Sequence, residues 1–217
     1  MTGILISTAE LHASLDNGEP VRLLDVRWEL GRSDGHGRYL KGHLPSAVYV
    51  DLDTELSAPA GPGGRHPLPS PRVFEALAKG WGINDGDTVV AYDAAGGAAA
   101  ARAWWLLRHA GFGNVRLLDG GLQAWQADGG ALESGQVTPV PGSVSLSWGH
   151  MPVVDMAGVP AFAAEGVLID ARAPERFRGE SEPIDPQAGH IPGAINRPAS
   201  GNLDANGHYL LVPELRQ

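Results

Sequence analysis

The chain has 217 residues with 30 glycines, 17 prolines and no cysteine, and its 25 acidic side chains outnumber 16 basic ones for a formal net charge of -9. The absence of cysteine excludes a disulfide framework, a cysteine-ligated zinc or iron–sulfur centre, and a cysteine nucleophile within these residues. The acidic excess is spread along the chain with no basic stripe, so a nucleic-acid partner is excluded; no apolar run approaches the ~18 residues that span a bilayer, so a membrane partner is excluded too. The opening residues lack the basic start and long apolar stretch of a signal peptide, which makes the cytoplasm the expected address.

Ser7 followed by Glu10 is a capping box that opens an amphipathic helix through Leu15. Val21–Val26 reads as a strand closed by Asp25 and Arg27. A Gly/Pro-rich loop over 57–69 leads to Ser70-Pro71, a helix cap followed by proline at the first helical position. Thr88–Tyr92 is a strand, Gly97–Ala110 a helix, Val115–Leu118 a strand and Gly120–Asp128 a helix. Strands separated by helices predict an α/β domain with a central parallel sheet and right-handed crossovers. Residues 135–150 lack helical period and carry two prolines, Pro139 and Pro141, as a linker does.

After the linker the chain repeats itself. Leu23-Leu24-Asp25-Val26-Arg27 returns as Leu168-Ile169-Asp170-Ala171-Arg172, and Gly42-His43-Leu44-Pro45-Ser46-Ala47 returns as Gly189-His190-Ile191-Pro192-Gly193-Ala194. Two ordered blocks at nearly one offset predict a duplicated domain, the first over 1–134 and the second over 151–217. Nothing after Gly193-Ala194 matches the strand Thr88–Tyr92 or the elements that follow it, so the second copy is expected to be truncated. His43 and His190 each precede Xaa-Pro in the same turn of both copies, which favours a backbone-bonding role over a metal or base role.

As a set, the paired LLDVR and LIDAR blocks, the paired GHLPSA and GHIPGA blocks, VVAYD with the following ARAWWLL, and GFGNVRLLDGGLQAWQADGG closely resemble the tandem-domain rhodanese family. Those enzymes are thiosulfate or 3-mercaptopyruvate sulfurtransferases. The resemblance implies a rhodanese-like three-layer α/β domain, duplicated, with the second copy incomplete. It also implies transfer of sulfane sulfur from a small anionic donor to cyanide or a thiol acceptor, without a cofactor or a metal. In that family a cysteine sits in a six-residue loop between a strand and a helix N-terminus, where backbone N–H groups lower a thiol's pKa. Here the corresponding loop of the first copy is Asp93–Ala98, with Asp93 at the cysteine position and Gly96 three residues on, a catalytically silent equivalent. The second copy's loop, with its cysteine, is expected beyond residue 217, so the chain alone is expected to be inactive. Arg172, just past the strand Gly166–Asp170, matches an arginine that holds the anionic substrate, against the plainer role of fixing its loop through Asp170 or Glu175; Trp28 matches a cleft-lining position. Arg176 and Arg178 lie near enough to add positive potential.

Two readings from other classes compete. Val48–Thr54 carries D-x-D-x-T after a strand, the pattern of haloacid-dehalogenase-like phosphatases that use Asp51 and Asp53 with Mg²⁺. A βα unit precedes it, no later acidic pair completes a metal site, and its repeat copy Ile195–Gly201 lacks the aspartates. The other is a non-catalytic rhodanese-type module that binds an anion or a protein.

Overall fold

The computed structural model describes residues 3–61 and 64–216, so Pro62 and Gly63 of the Gly/Pro-rich loop lie outside the description. The chain divides into two compact units, the first running to Met151 and taking in Asn206–His208, the second holding Pro152–Ala205 and the residues from Tyr209.

The first unit alternates strand and helix: β1 (Leu5–Ile6), α1 (Thr8–Asp16), β2 (Val21–Asp25), α2 (Gly35–Lys41), β3 (Val48–Tyr49), α3 (Pro71–Gly80), β4 (Thr88–Tyr92), α4 (Ala98–His109), β5 (Val115–Leu118) and α5 (Gly121–Ala127). The strands form one parallel sheet in the order β1-β5-β4-β2-β3. Alternation along β4 sends its side chains to both faces, as strand geometry requires. Val89 and Ala91 meet Phe74 of α3 and Ala103, Leu106 and Leu107 of α4, while Val90 and Tyr92 meet Leu11 of α1 and Leu122 and Trp125 of α5. The result is the expected three-layer α/β arrangement. The predicted helix starts hold in detail at α1, where Ser7 Oγ accepts from Glu10 N at 3.2 Å and Glu10 Oε2 from Ser7 N at 2.9 Å. At α3, Ser70 is the extended cap before Pro71 but bonds no helix N–H with its side chain.

Residues 135–150 form no helix or strand, yet they are held as a strap on the first unit. Val144 is fully buried, its N–H donates to the Ile83 carbonyl (3.1 Å), and Trp148 stands edge-on to Phe74 and His109. Gly142 passes so close to Ile83 that a Cβ would lie 2.0 Å from its carbonyl oxygen, so only glycine lets the strap seat.

The second unit contains α6 (Val159–Glu165), β6 (Ile169–Asp170), α7 (Pro174–Phe177), β7 (Ile195–Asn196), a 3₁₀ turn at Ala199–Asn202 and α8 (Val212–Leu215). Its strands repeat the register of the first unit: Ile169 pairs with Ile195 as Leu24 pairs with Val48, both in parallel. The turn between them repeats as well, with Ser46 and Gly193 both at positive φ (62° and 86°) and the N–H of the next residue bonded back to Leu44 and Ile191. Burial does not repeat. Leu24 and Val48 are 0% and 5% exposed, whereas Ile169 and Ile195 are 55% and 47% exposed, and no described residue of 151–216 is buried.

Candidate functional site

Parallel sheets place ligands at the C-terminal ends of their strands. At that end of β4 the loop Asp93–Ala98 turns into α4 through Gly96 and Gly97, both at positive φ (84° and 86°). The turn aims successive N–H groups inward, and the Asp93 carboxylate fills the space they define. Its Oδ1 accepts from Ala95 N (2.8 Å) and Gly97 N (2.9 Å), and its Oδ2 from Ala99 N (3.0 Å) and Ala100 N (3.1 Å). Asp93 is 2% exposed. Its charge meets the positive end of α4 and satisfies donors that a helix start leaves open. A side chain so engaged is an anchor for the loop, not a free nucleophile.

The paired arginines behave alike. Arg27 Nε and Nη2 grip the Asp25 carboxylate (3.1 and 2.6 Å), and Nη2 also donates to the Gly42 carbonyl (2.7 Å). Arg172 grips Asp170 (3.0 and 2.6 Å) and donates to the Gly189 carbonyl (2.7 Å). Arg172 therefore braces its turn to its strand, as its copy does, and it also lines a cavity of about 540 Å³ with Asp185, Gln187 and His190. Surroundings separate the two pairs: burial pushes the Asp25 carboxyl above its ordinary range despite Arg27, whereas the Arg172 hydrogen bonds hold the more exposed Asp170 below it. Nearby, Arg176 is clamped by Glu182 and Asp185. The Glu182 carboxyl falls to about 2, first through the Asp185 N–H and then through Arg176.

Both motif histidines bond backbone. His43 is buried with its ring nitrogens at the Leu44 and Gly135 carbonyls, stacked on Tyr39; His190 Nδ1 faces the Phe177 carbonyl with its ring stacked on Phe177.

Trp28 leads to a cluster that the sequence reading did not assemble. Its Nε1–H donates to Asp53 Oδ2 (3.0 Å), His66 meets Asp53 Oδ1 through Nε2 (2.9 Å), and the two rings stand edge to face at 5.5 Å. Asp53 thus orients an imidazole beside an indole, and among the described residues His66 Nδ1 has no hydrogen-bond partner. The same geometry overturns the phosphatase reading of D-x-D-x-T. Asp51 Oδ1 accepts from the N–H groups of Asp53 and Thr54, capping a turn, and Asp53 serves Trp28 and His66, so the two carboxylates are not paired for a metal. Beneath the cluster, Arg102 of α4 donates to the carbonyls of Leu56, His66 and Pro67. The signals for these residues were faint: His66 is one histidine in a Gly/Pro loop, and Arg102 the one charge in the apolar run AAAARAWWLL.

The family model of the rhodanese-like domain matches residues 7–128. The chain belongs to the rhodanese family. Among rhodanese-type relatives, a Mycobacterium tuberculosis protein provisionally named thiosulfate sulfurtransferase SseB is 48% identical over 95% of this chain and 74% of its own length. A Pseudomonas aeruginosa protein provisionally named 3-mercaptopyruvate sulfurtransferase is 42% identical over 98% of this chain and 77% of its length. The crystal structure of Escherichia coli SseA, described as a 3-mercaptopyruvate sulfotransferase with the rhodanese fold, aligns with a TM-score of 0.86 at 32% identity, covering 99% of this chain and 82% of that one. Among the described residues no helix is long and apolar enough to cross a membrane.

Proposed function

We propose that this chain is the donor-binding portion of a cytoplasmic sulfurtransferase that moves sulfane sulfur from thiosulfate or 3-mercaptopyruvate to cyanide or a thiol through a cysteine persulfide, with that cysteine lying outside residues 1–217. In this reading 1–134 is a silent rhodanese-like domain, 135–150 its strap and linker, and 151–217 the first part of a second copy. The observation that carries it is the Asp93 carboxylate in the N–H cradle of the active-type loop. The cradle is built for an anion, and a carboxylate in it has neither the nucleophilicity nor the sulfur affinity of a thiolate.

The chemistry assigns roles to the remaining groups. A thiolate attacks the outer sulfur of thiosulfate, the S–S bond breaks and sulfite leaves; the persulfide then yields its sulfur to cyanide or a thiol. With 3-mercaptopyruvate a C–S bond breaks instead, and the carbon that leaves needs a proton. The His66–Asp53 pair supplies a proton-transfer group of the kind that step requires, with Trp28 as its apolar wall. Arg172, in the second unit, holds Asp170 and the Gly189 carbonyl and lines a cavity of its own, and its role in this reading is to brace that turn. A rhodanese-type module that binds an anion or a protein without turnover is the second reading, favoured by a chain with no cysteine.

Titrating thiosulfate and 3-mercaptopyruvate into the isotopically labelled chain tests the donor site. The reading expects saturable shifts at the Trp28 indole and the His66 imidazole that vanish in D53A; signals that stay fixed at millimolar donor refute it.

A further inference from the structure

We infer that Arg102 is the positioning residue of the Trp28–Asp53–His66 cluster, setting the His66 imidazole against Asp53 by holding the backbone of the loop that carries it. The inference deepens the donor-site reading above and takes its functional meaning from it. Its geometry stands alone. Nε donates to the Leu56 carbonyl (2.9 Å), and Nη2 reaches the carbonyls of His66 (3.0 Å) and Pro67 (3.3 Å). One guanidinium therefore ties together both ends of the loop that leaves Asp53 and returns at His66.

Three carbonyls held at once separate Arg102 from the carboxylate-bound arginines and from Arg108, which donates to the single carbonyl of Gly113. Arg27, Arg172, Arg176 and Arg178 each bond a carboxylate, whereas Arg102 meets carbonyls alone among the described residues. Its burial carries a desolvation cost that no carboxylate offsets, and burial pushes its guanidinium below the ordinary value. A rigid planar fork matches carbonyls at fixed separations; a lysine ammonium, a single point on a flexible stem, does not. Placement on α4 gives the clamp a firm base. The first turn of that helix is fixed by Asp93, and Arg102 lies just beyond, so the anion cradle and the imidazole share one rigid support.

The test is a nuclear magnetic resonance comparison of the whole chain with R102Q and R102K, reading the Trp28 Nε1–H and the His66 ring nitrogens. In R102Q the Trp28 indole proton, no longer held on Asp53, is expected to exchange with water about tenfold faster while the amides of β4 keep their protection. R102K is expected to recover only part of this, because it keeps the charge and loses the fork. A folded R102Q with wild-type Trp28 and His66 signals overturns the inference, and so does full recovery in R102K, which would make charge alone sufficient. Loss of β4 protection in both variants assigns Arg102 to general stability and overturns it as well. Donor titrations that leave Trp28 and His66 unmoved in the wild-type chain refute the donor site but not the positioning result, so the two failures are distinguishable.

Discussion

Replacing Asp93 by asparagine changes one atom and is expected to be among the more costly substitutions in the chain. The asparagine carbonyl can keep the N–H groups of Ala95 and Gly97, but its amide nitrogen then points at those of Ala99 and Ala100, donor against donor. Both lost bonds are buried, and Asp93 itself is 2% exposed, so water does not replace the missing acceptor. An unsatisfied buried donor costs ~1–3 kcal/mol, and the lost charge at the helix start adds up to ~1 kcal/mol, so D93N should lose about 3–5 kcal/mol. For a domain of this size that lowers the melting temperature by about 10 °C. Circular dichroism melts and urea titrations, monitored at unchanged pH, measure both quantities. A D93N chain within ~1 kcal/mol of wild type would refute the claim that the carboxylate satisfies these donors.

Three further outcomes follow from the same geometry. R27A leaves the fully buried Asp25 without its partner and should cost ~3–5 kcal/mol in urea unfolding, whereas R172A, from a pair that water reaches, should cost ~1 kcal/mol or less; equal losses would contradict the difference in burial. Glu182, held at about 2, and Asp170, also lowered, stabilise the second unit above their unfolded pKa values, and that support is lost as pH falls from about 4.5 toward 2. Asp25, whose carboxyl is raised, shifts stability the other way, its favourable contribution being present at low pH and lost as pH rises through its folded value. Hydrogen exchange should therefore show the segment around 170–185 loosening in acid before β2 does, with the pH dependence reduced in E182Q. At neutral pH the amides of β6 and β7 should exchange faster than those of β2 and β4, since no described residue of 151–216 is buried; uniform protection would contradict this.

Short apolar runs alternating with helix-length segments were enough to place β2, β4, α4 and β5 in the sequence to within a residue or two, because the strands of a covered parallel sheet read as compact apolar runs. The repeat was legible too: Asp25–Arg27 and Asp170–Arg172 need the same residues to close the same turn. Arg172 shows where the reading ran short. A fork beside a strand end suits an anion as well as a carboxylate, so the sequence leaves a donor anchor and a loop brace on Asp170 or Glu175 both open, and the structure shows the brace on Asp170 with the Gly189 carbonyl as a second partner. The Trp28–Asp53–His66 cluster was illegible because its members lie far apart in the chain and meet through loops that carry no periodic signal. D-x-D-x-T gave a local pattern at Asp51–Thr54, yet the carboxylates turned outward to a turn cap and a ring pair. The strap over 135–150 had no period to report, since its order comes from backbone bonds and from Val144 and Trp148 inserting between elements already formed.

We propose that sulfur is carried by a cysteine outside these residues while Asp93 holds the first domain silent. The decisive measurement is thiosulfate:cyanide sulfur transfer by the purified chain of residues 1–217, followed as thiocyanate formed. No thiocyanate above the protein-free blank is expected, and sustained turnover by this cysteine-free chain would refute the proposal.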